Sequence, residues 1–183
     1  TLRFKKASPA LAISGVLISF LGSLVLFLND SNGDGRIIEI STQWLFLGSL
    51  QIEFGIILDH LSLLMLLVVT GISSLIFIYS LGYMKNEPGI SRYFAFLSLF
   101  CFSMLGIVLS NNLIQTFMFW ELVGASSYLL IGFWHEKDSA ADAGNKAFLV
   151  NRVGDFGFML GILVCWVISG LISGERSFNF LIL

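Results

Sequence analysis

The run from Pro9 to Leu28, PALAISGVLISFLGSLVLFL, constrains the fold most, because it is twenty residues long and carries no charge. At about 1.5 Å per residue such a run crosses a hydrocarbon layer of roughly 30 Å as a helix. In lipid every backbone N–H and C=O must be satisfied within the segment, which leaves a helix or a closed barrel as the only solutions. Four further apolar runs of span length follow. The chain as a whole is 56% hydrophobic and 12% charged, with a mean hydropathy of +0.89. A soluble domain carries about 25% charged residues. The expected fold class is therefore all-α membrane protein, a bundle of five transmembrane helices with a short surface β-hairpin between the first two. The net charge of −2 offers no basis for binding nucleic acid. The expected partner by composition is the lipid bilayer.

The spans are bounded by recognisable signals. Ser8 as N-cap and Pro9 at the first helical position open the first. Asn29 to Arg36, NDSNGDGR, follows as a polar turn. Asp30, Asn32, Asp34 and Gly35 imitate the first positions of a calcium loop. The twelfth position is Ser41 instead of the Glu that closes the metal shell, so a solvated loop is expected. From Ile38 to Ile57 apolar and polar residues alternate around Gly48-Ser49, the pattern of a hairpin lying at the membrane surface. Asp59 is placed to cap a second span ending near Tyr83, and the neighbouring His60 reads as an interfacial hydrogen-bonding residue. The third span is expected from Arg92 to Leu109, after MKNEPGIS. A turn at Ser110-Asn111-Asn112 precedes the fourth, Leu113 to Trp134. The loop HEKDSAAD then leads to a fifth from Ala143 to Ser169, with an exit loop over Gly170 to Leu183. Coarse units of 1–58, 59–110 and 111–183 follow. Lys and Arg alternate between rich and poor loops, three in the N-terminal segment and one, two, none, two and one thereafter. This places the N-terminus on the cytoplasmic or matrix side and the C-terminus opposite.

Within this apolar framework a few ionisable residues stand out. Glu121 lies in FMFWELVGASSYLLIGFW, Phe117 to Trp134, with no other charge between Leu113 and Trp134. A central acid costs roughly 2.5 to 3.5 kcal/mol on insertion scales, so it is expected to face a neighbouring helix and to mark an ion or proton pathway. The bland alternative is a structural hydrogen bond between helices. Glu121, Gly124, Ala125 and Tyr128 share one helical face, whose small residues allow close approach. Arg152 and Asp155 stand at i and i+3 on the next span, where they can pair with each other statically or serve the same pathway. Lys146 is a weaker candidate, with snorkelling as its ordinary role, and so is His135, a possible proton entrance in a solvated loop. Gly154, Gly157 and Gly161 suggest close helix packing. Cys101 and Cys165 sit in apolar runs as small buried hydrophobes. With no nucleotide loop, haem pair, cysteine cluster set or hydrolytic triad, the chain is expected to hold no catalytic residue, no metal and no electron-transfer centre.

WELVGASSYLLIGFW (Trp120 to Trp134) and NKAFLVNRVGDFGF (Asn145 to Phe158), with FGIILDHLSLLMLLVVTG (Phe54 to Gly71) and YSLGYMKNEPGISRYFAFLSLF (Tyr79 to Phe100), closely resemble the distal antiporter-like membrane subunits of respiratory complex I. These are known as chain 5 or subunit L of proton-pumping NADH:quinone oxidoreductase. The resemblance implies that the chain corresponds to the second to sixth helices of a longer subunit, an N-terminal fragment carrying part of a proton half-channel. It implies that Glu121 is that channel's intramembrane acid, working with a Lys on a later helix. Arg152 and Asp155 would be its RVGD pair. It further implies an energy-transducing membrane, mitochondrial inner or bacterial plasma. The partners would be the other complex I membrane subunits, especially the neighbouring antiporter-like one and the remainder of its own subunit. FMN, iron–sulfur clusters and quinone would lie on other subunits. Alternatives are the large subunit of a multisubunit sodium/proton antiporter or membrane-bound hydrogenase, and a scaffold fragment without transport of its own.

Overall fold

The computed structural model describes residues 2–30, 37–47, 50–172 and 178–180. Its elements run α1 (Leu2–Asp30), β1 (Ile38–Leu47), β2 (Leu50–Leu58), α2 (His60–Tyr83), α3 (Ile90–Leu109), α4 (Leu113–Ile131) and α5 (Asp138–Ile172). Among the described residues these five helices are long and apolar enough to cross a membrane. The expected fold class therefore holds. The calcium-like loop at 31–36, the hairpin turn at Gly48-Ser49 and most of the expected exit loop (173–177 and 181–183) lie outside the described residues.

Several helix boundaries differ from the sequence reading. α1 begins at Leu2, so Pro9 lies inside the helix instead of opening it. About two turns precede it, and the hydrogen bond that its missing N–H forfeits is a single one near the helix end. α4 ends at Ile131, where the Gly132 N–H returns to the Tyr128 carbonyl at 2.9 Å. α5 begins at Asp138, which takes most of HEKDSAAD into the helix. Asp138 in the first turn complements the helix dipole, and the alanines that follow are strong helix formers. α3 also starts two residues early, after Pro88 and the Gly89 cap.

α2 opens on a reciprocal cap. The Ser62 N–H donates to the Asp59 carboxylate at 2.7 Å, and the Asp59 N–H donates to the Ser62 hydroxyl at 2.8 Å. This is the capping-box arrangement, and the expected role of Asp59 holds. The core sits where α1, α2 and α3 meet, built from Val16, Phe77, Phe94, Leu97 and Cys101. The buried Ser23 and Thr70 hydroxyls, 2.9 Å apart, join α1 to α2 about two turns away along both helices. Outward, Leu11, Leu75, Val153 and Leu171 are largely exposed, a surface suited to lipid tails and costly in water.

Between α3 and α4 the Phe119 ring occupies the space that a side chain at 106 would need. A Cβ on Gly106 would overlap that ring. Phe102 and Phe54 flank it, with ring centroids at 5.7 and 6.2 Å.

The hairpin is antiparallel, with strands of ten and nine residues. Its register shifts between Gln43 and Leu45, which leaves Trp44 as a bulge residue. It is clamped onto the α3–α4 corner. The Gln115 side-chain amide donates to the Gly55 carbonyl and accepts from the Gly55 N–H, both at 2.9 Å. The Asn112 amide donates to the Glu53 carbonyl at 2.8 Å, and its oxygen caps α4 by accepting from the Gln115 N–H. Glu39 accepts from Asn111 at 2.9 Å and from Asn179 at 2.8 Å. The segment after α5 returns here: Leu113 N–H donates to the Phe178 carbonyl, and Phe180 N–H to that of Asn111.

Candidate proton-pathway site

α4 and α5 run side by side, joined through the short loop Gly132–Lys137. The loop brings Gly132 against Gly144, and the two helices approach closely at this end, where a Cβ on Gly144 would meet Gly132 at 3.5 Å. Gly124, expected at the tight contact, has open space beside it. A Cβ placed on Gly154, Gly157 or Gly161 likewise meets nothing within 4 Å among the described residues. Their expected packing partner is not among the described residues.

Glu121, on α4, forms an ion pair with Arg152 of α5. Arg152 therefore spends its closest contact on the other helix, instead of on Asp155 as its own-helix spacing suggests. The Asp155 Oδ2 stands 3.9 Å from the Arg152 Nη1. Its other oxygen accepts the Trp120 indole N–H at 2.9 Å. The side chains of Arg152, Glu121 and Asp155 are 46%, 23% and 9% exposed. The Arg152 guanidinium also lies over the Phe148 ring, 4.8 Å from its centroid, a favourable cation–π placement. Two carboxylates thus share one guanidinium, and an indole restrains the deeper of them.

The spacing along each helix explains the convergence. Glu121 and Trp120 are neighbours on α4. Phe148, Arg152 and Asp155 recur at four and three residues on α5, which places them on one face. The sequence singles out Glu121, Arg152 and Asp155, but by resemblance it assigns Glu121 a Lys partner on a later helix. Among the described residues the cation at Glu121 is Arg152. Trp120 escapes the sequence reading. Its signal is there in principle, since a Trp N–H set among apolar residues needs an acceptor.

The two weaker candidates separate. Lys146 is exposed and lies off the face that carries Phe148 and Arg152. His135 lines a cavity of about 280 Å³ at the loop end of α3, α4 and α5, together with Arg92, Tyr128 and Asn145.

Residues 44–94 match the family described as NADH-ubiquinone oxidoreductase (complex I), chain 5 N-terminus. Residues 110–182 match the one described as NADH:quinone oxidoreductase/Mrp antiporter, transmembrane. The NAD(P)H-quinone oxidoreductase chain 5 of Synechocystis sp. is 54% identical over 138 residues, 75% of this chain and 19% of that protein. The NADH-quinone oxidoreductase subunit L of Rickettsia typhi is 47% identical over 167 residues, 91% of this chain and 25% of that protein. The chain thus spans about a fifth to a quarter of the length of these curated relatives. In fold it is similar to a chain of an archaeal membrane-bound sulfane sulfur reductase, with a TM-score of 0.73 at 20% identity over 92% of this chain and 36% of that one. It is also similar to a chain of the Mrp complex of Dietzia sp., with a TM-score of 0.67 at 21% identity over 94% of this chain and 20% of that one.

Proposed function

This chain belongs to the antiporter-like membrane subunit family of the NADH:quinone oxidoreductases, and from that premise we propose that it contributes part of a proton half-channel to such a complex. In this reading its partners are the complex's other membrane subunits, including the neighbouring antiporter-like one. Flavin, iron–sulfur clusters and quinone are carried elsewhere in the assembly. The membrane is an energy-transducing one, with the N-terminus on the cytoplasmic or matrix side as the distribution of Lys and Arg requires.

The observation that carries the reading is the sharing of Arg152 between Glu121 and Asp155. Protonation of the Glu121 carboxylate cancels its charge and removes its hold on the guanidinium. The cation then has Asp155 as its remaining acid, within side-chain reach. Deprotonation reverses the preference. A proton bound at Glu121 is thereby coupled to the position of a positive charge, which is what a pathway needs if proton uptake is to depend on events beside it. Glu121, Arg152 and Asp155 carry this step and His135 lies toward its access, while Lys146 stands on another face of α5, apart from it.

The test is Glu121→Gln in the assembled complex. The neutral amide keeps the shape and removes the titrating group, so NADH-driven proton uptake into proteoliposomes should fall about tenfold or more with assembly intact. Wild-type pumping would overturn the reading. Sodium-driven proton exchange without NADH oxidation would favour the Mrp-type antiporter reading, to which the second family match and the fold likeness to an Mrp chain lend support.

A further inference from the structure

We propose that the Phe148 ring is a gate, controlling passage of water between the loop-end cavity and Glu121 along the α4–α5 interface. This rests on the reading of Glu121 as a proton-carrying group.

The cavity of about 280 Å³ has room for several waters, each of which occupies about 30 Å³ in the liquid and needs polar partners. Arg92, Tyr128, His135 and Asn145 supply those partners, and Phe96 and Phe133 form apolar wall. Arg92 is anchored there by a hydrogen bond to the Phe133 carbonyl at 3.3 Å and by stacking on the Phe133 ring. His135 and Asn145 are exposed, so the cavity communicates with the loop end.

From this cavity two helical faces lead to the ion pair. On α4 the residues Tyr128, Gly124 and Glu121 follow at four and three, and on α5 Asn145, Phe148 and Arg152 at three and four. Each path is seven residues, about 10 Å of helix. On the α4 side Gly124 leaves its space empty. On the α5 side the Phe148 ring fills the gap, 5.5 Å from the Tyr128 ring and directly under the Arg152 guanidinium. Phe148 is therefore both the barrier between cavity and ion pair and the surface on which the mobile cation rests. A shift of Arg152 toward Asp155 unloads the ring that closes the route.

The test is thiol accessibility in the full complex, on a background with Cys101 and Cys165 replaced. Asn145→Cys, Gly124→Cys and Val153→Cys are labelled with a membrane-impermeant cationic methanethiosulfonate, which reacts with hydrated thiolates. Asn145→Cys should react fastest and Gly124→Cys about tenfold more slowly, while the outward Val153→Cys should stay unreactive. Adding Phe148→Ala should speed labelling at 124 by about the same factor and leave that at 145 unchanged. A Gly124→Cys that resists labelling while Asn145→Cys reacts overturns the route, as does labelling of Val153→Cys as fast as that of Gly124→Cys. Labelling at 124 left unchanged by Phe148→Ala overturns the gate, and if Phe148→Ala does not assemble, the smaller change Phe148→Leu is read in the same way. The role of Glu121 itself is read separately, from pumping by Glu121→Gln. A dry position 124 with pumping lost in Glu121→Gln removes the route and leaves the half-channel standing.

Discussion

The hairpin corner and the middle of the α4–α5 interface both set polar side chains among apolar helices, but they are built on opposite rules. At the corner, Asn111, Asn112 and Gln115 are buried and neutral, and each is hydrogen-bonded, Gln115 on both its oxygen and its nitrogen. At the ion pair, two acids divide one base that is itself nearly half exposed. A network whose buried amides are all satisfied, with the Glu39 carboxylate fixed among them by two amide donors, has one good arrangement and holds it. A shared cation has two, separated by little more than a side-chain swing. The contrast assigns fixity to the end of the bundle and choice to its middle.

Breaking the corner should cost the most stability. Gln115→Leu leaves the buried Gly55 N–H and C=O without their Gln115 partners, at about 1–3 kcal/mol for each group left unsatisfied, so a loss of about 2–6 kcal/mol is expected. It should appear as a lowered temperature for irreversible loss of NADH-driven pumping, with the proton-to-NADH ratio of the surviving complex unchanged. If the ratio falls in step with stability, the corner does more than hold.

Loosening the middle should show the reverse signature. Trp120→Phe keeps most of the ring packing against Phe158 and removes one hydrogen bond to Asp155, about 1 kcal/mol. Asp155 then competes more freely for Arg152, so pumping should fall further than the thermal stability does. A variant that is destabilised and pumps normally would make Trp120 a packing residue.

The smallest effect belongs to the α2 cap. Asp59→Ala should cost about 1 kcal/mol without altering pumping. The Ser62 N–H donated to it, together with the Ser62 hydroxyl, holds the Asp59 carboxyl below its ordinary value of 3.8. The sign follows: a depressed folded value makes the cap's charge stabilising above the unfolded pKa. That contribution fades as pH drops below about 4 and through the lower folded value. Wild type and Asp59→Ala should therefore differ in stability at neutral pH and converge in strong acid.

Much of this is legible from residues alone. The five spans follow from uncharged runs of sufficient length, and the depth of Glu121 follows from its isolation within one of them. Asp59 announces itself by standing three residues before Ser62. The start of α5 is obscured because DSAADAGNK is polar enough to read as loop, although its alanines favour helix. The partner of Glu121 is obscured for another reason. Spacing along one helix offers Asp155 to Arg152, and only the packing of α4 on α5 decides that the guanidinium crosses to the other helix. The same holds for the corner. Ser110-Asn111-Asn112 reads as a turn, and that these amides bind a hairpin about sixty residues earlier becomes visible only once the chain is folded.

The fit of Phe119 against Gly106 acts on α4 as a key acts on a shaft. A helix turns about 100° per residue, so Glu121, two positions beyond Phe119, points roughly opposite to it, away from α3 and toward α5. The absence of a side chain at 106 therefore sets the rotational phase at which the acid meets Arg152. Gly106→Ala would turn the shaft without touching any charge.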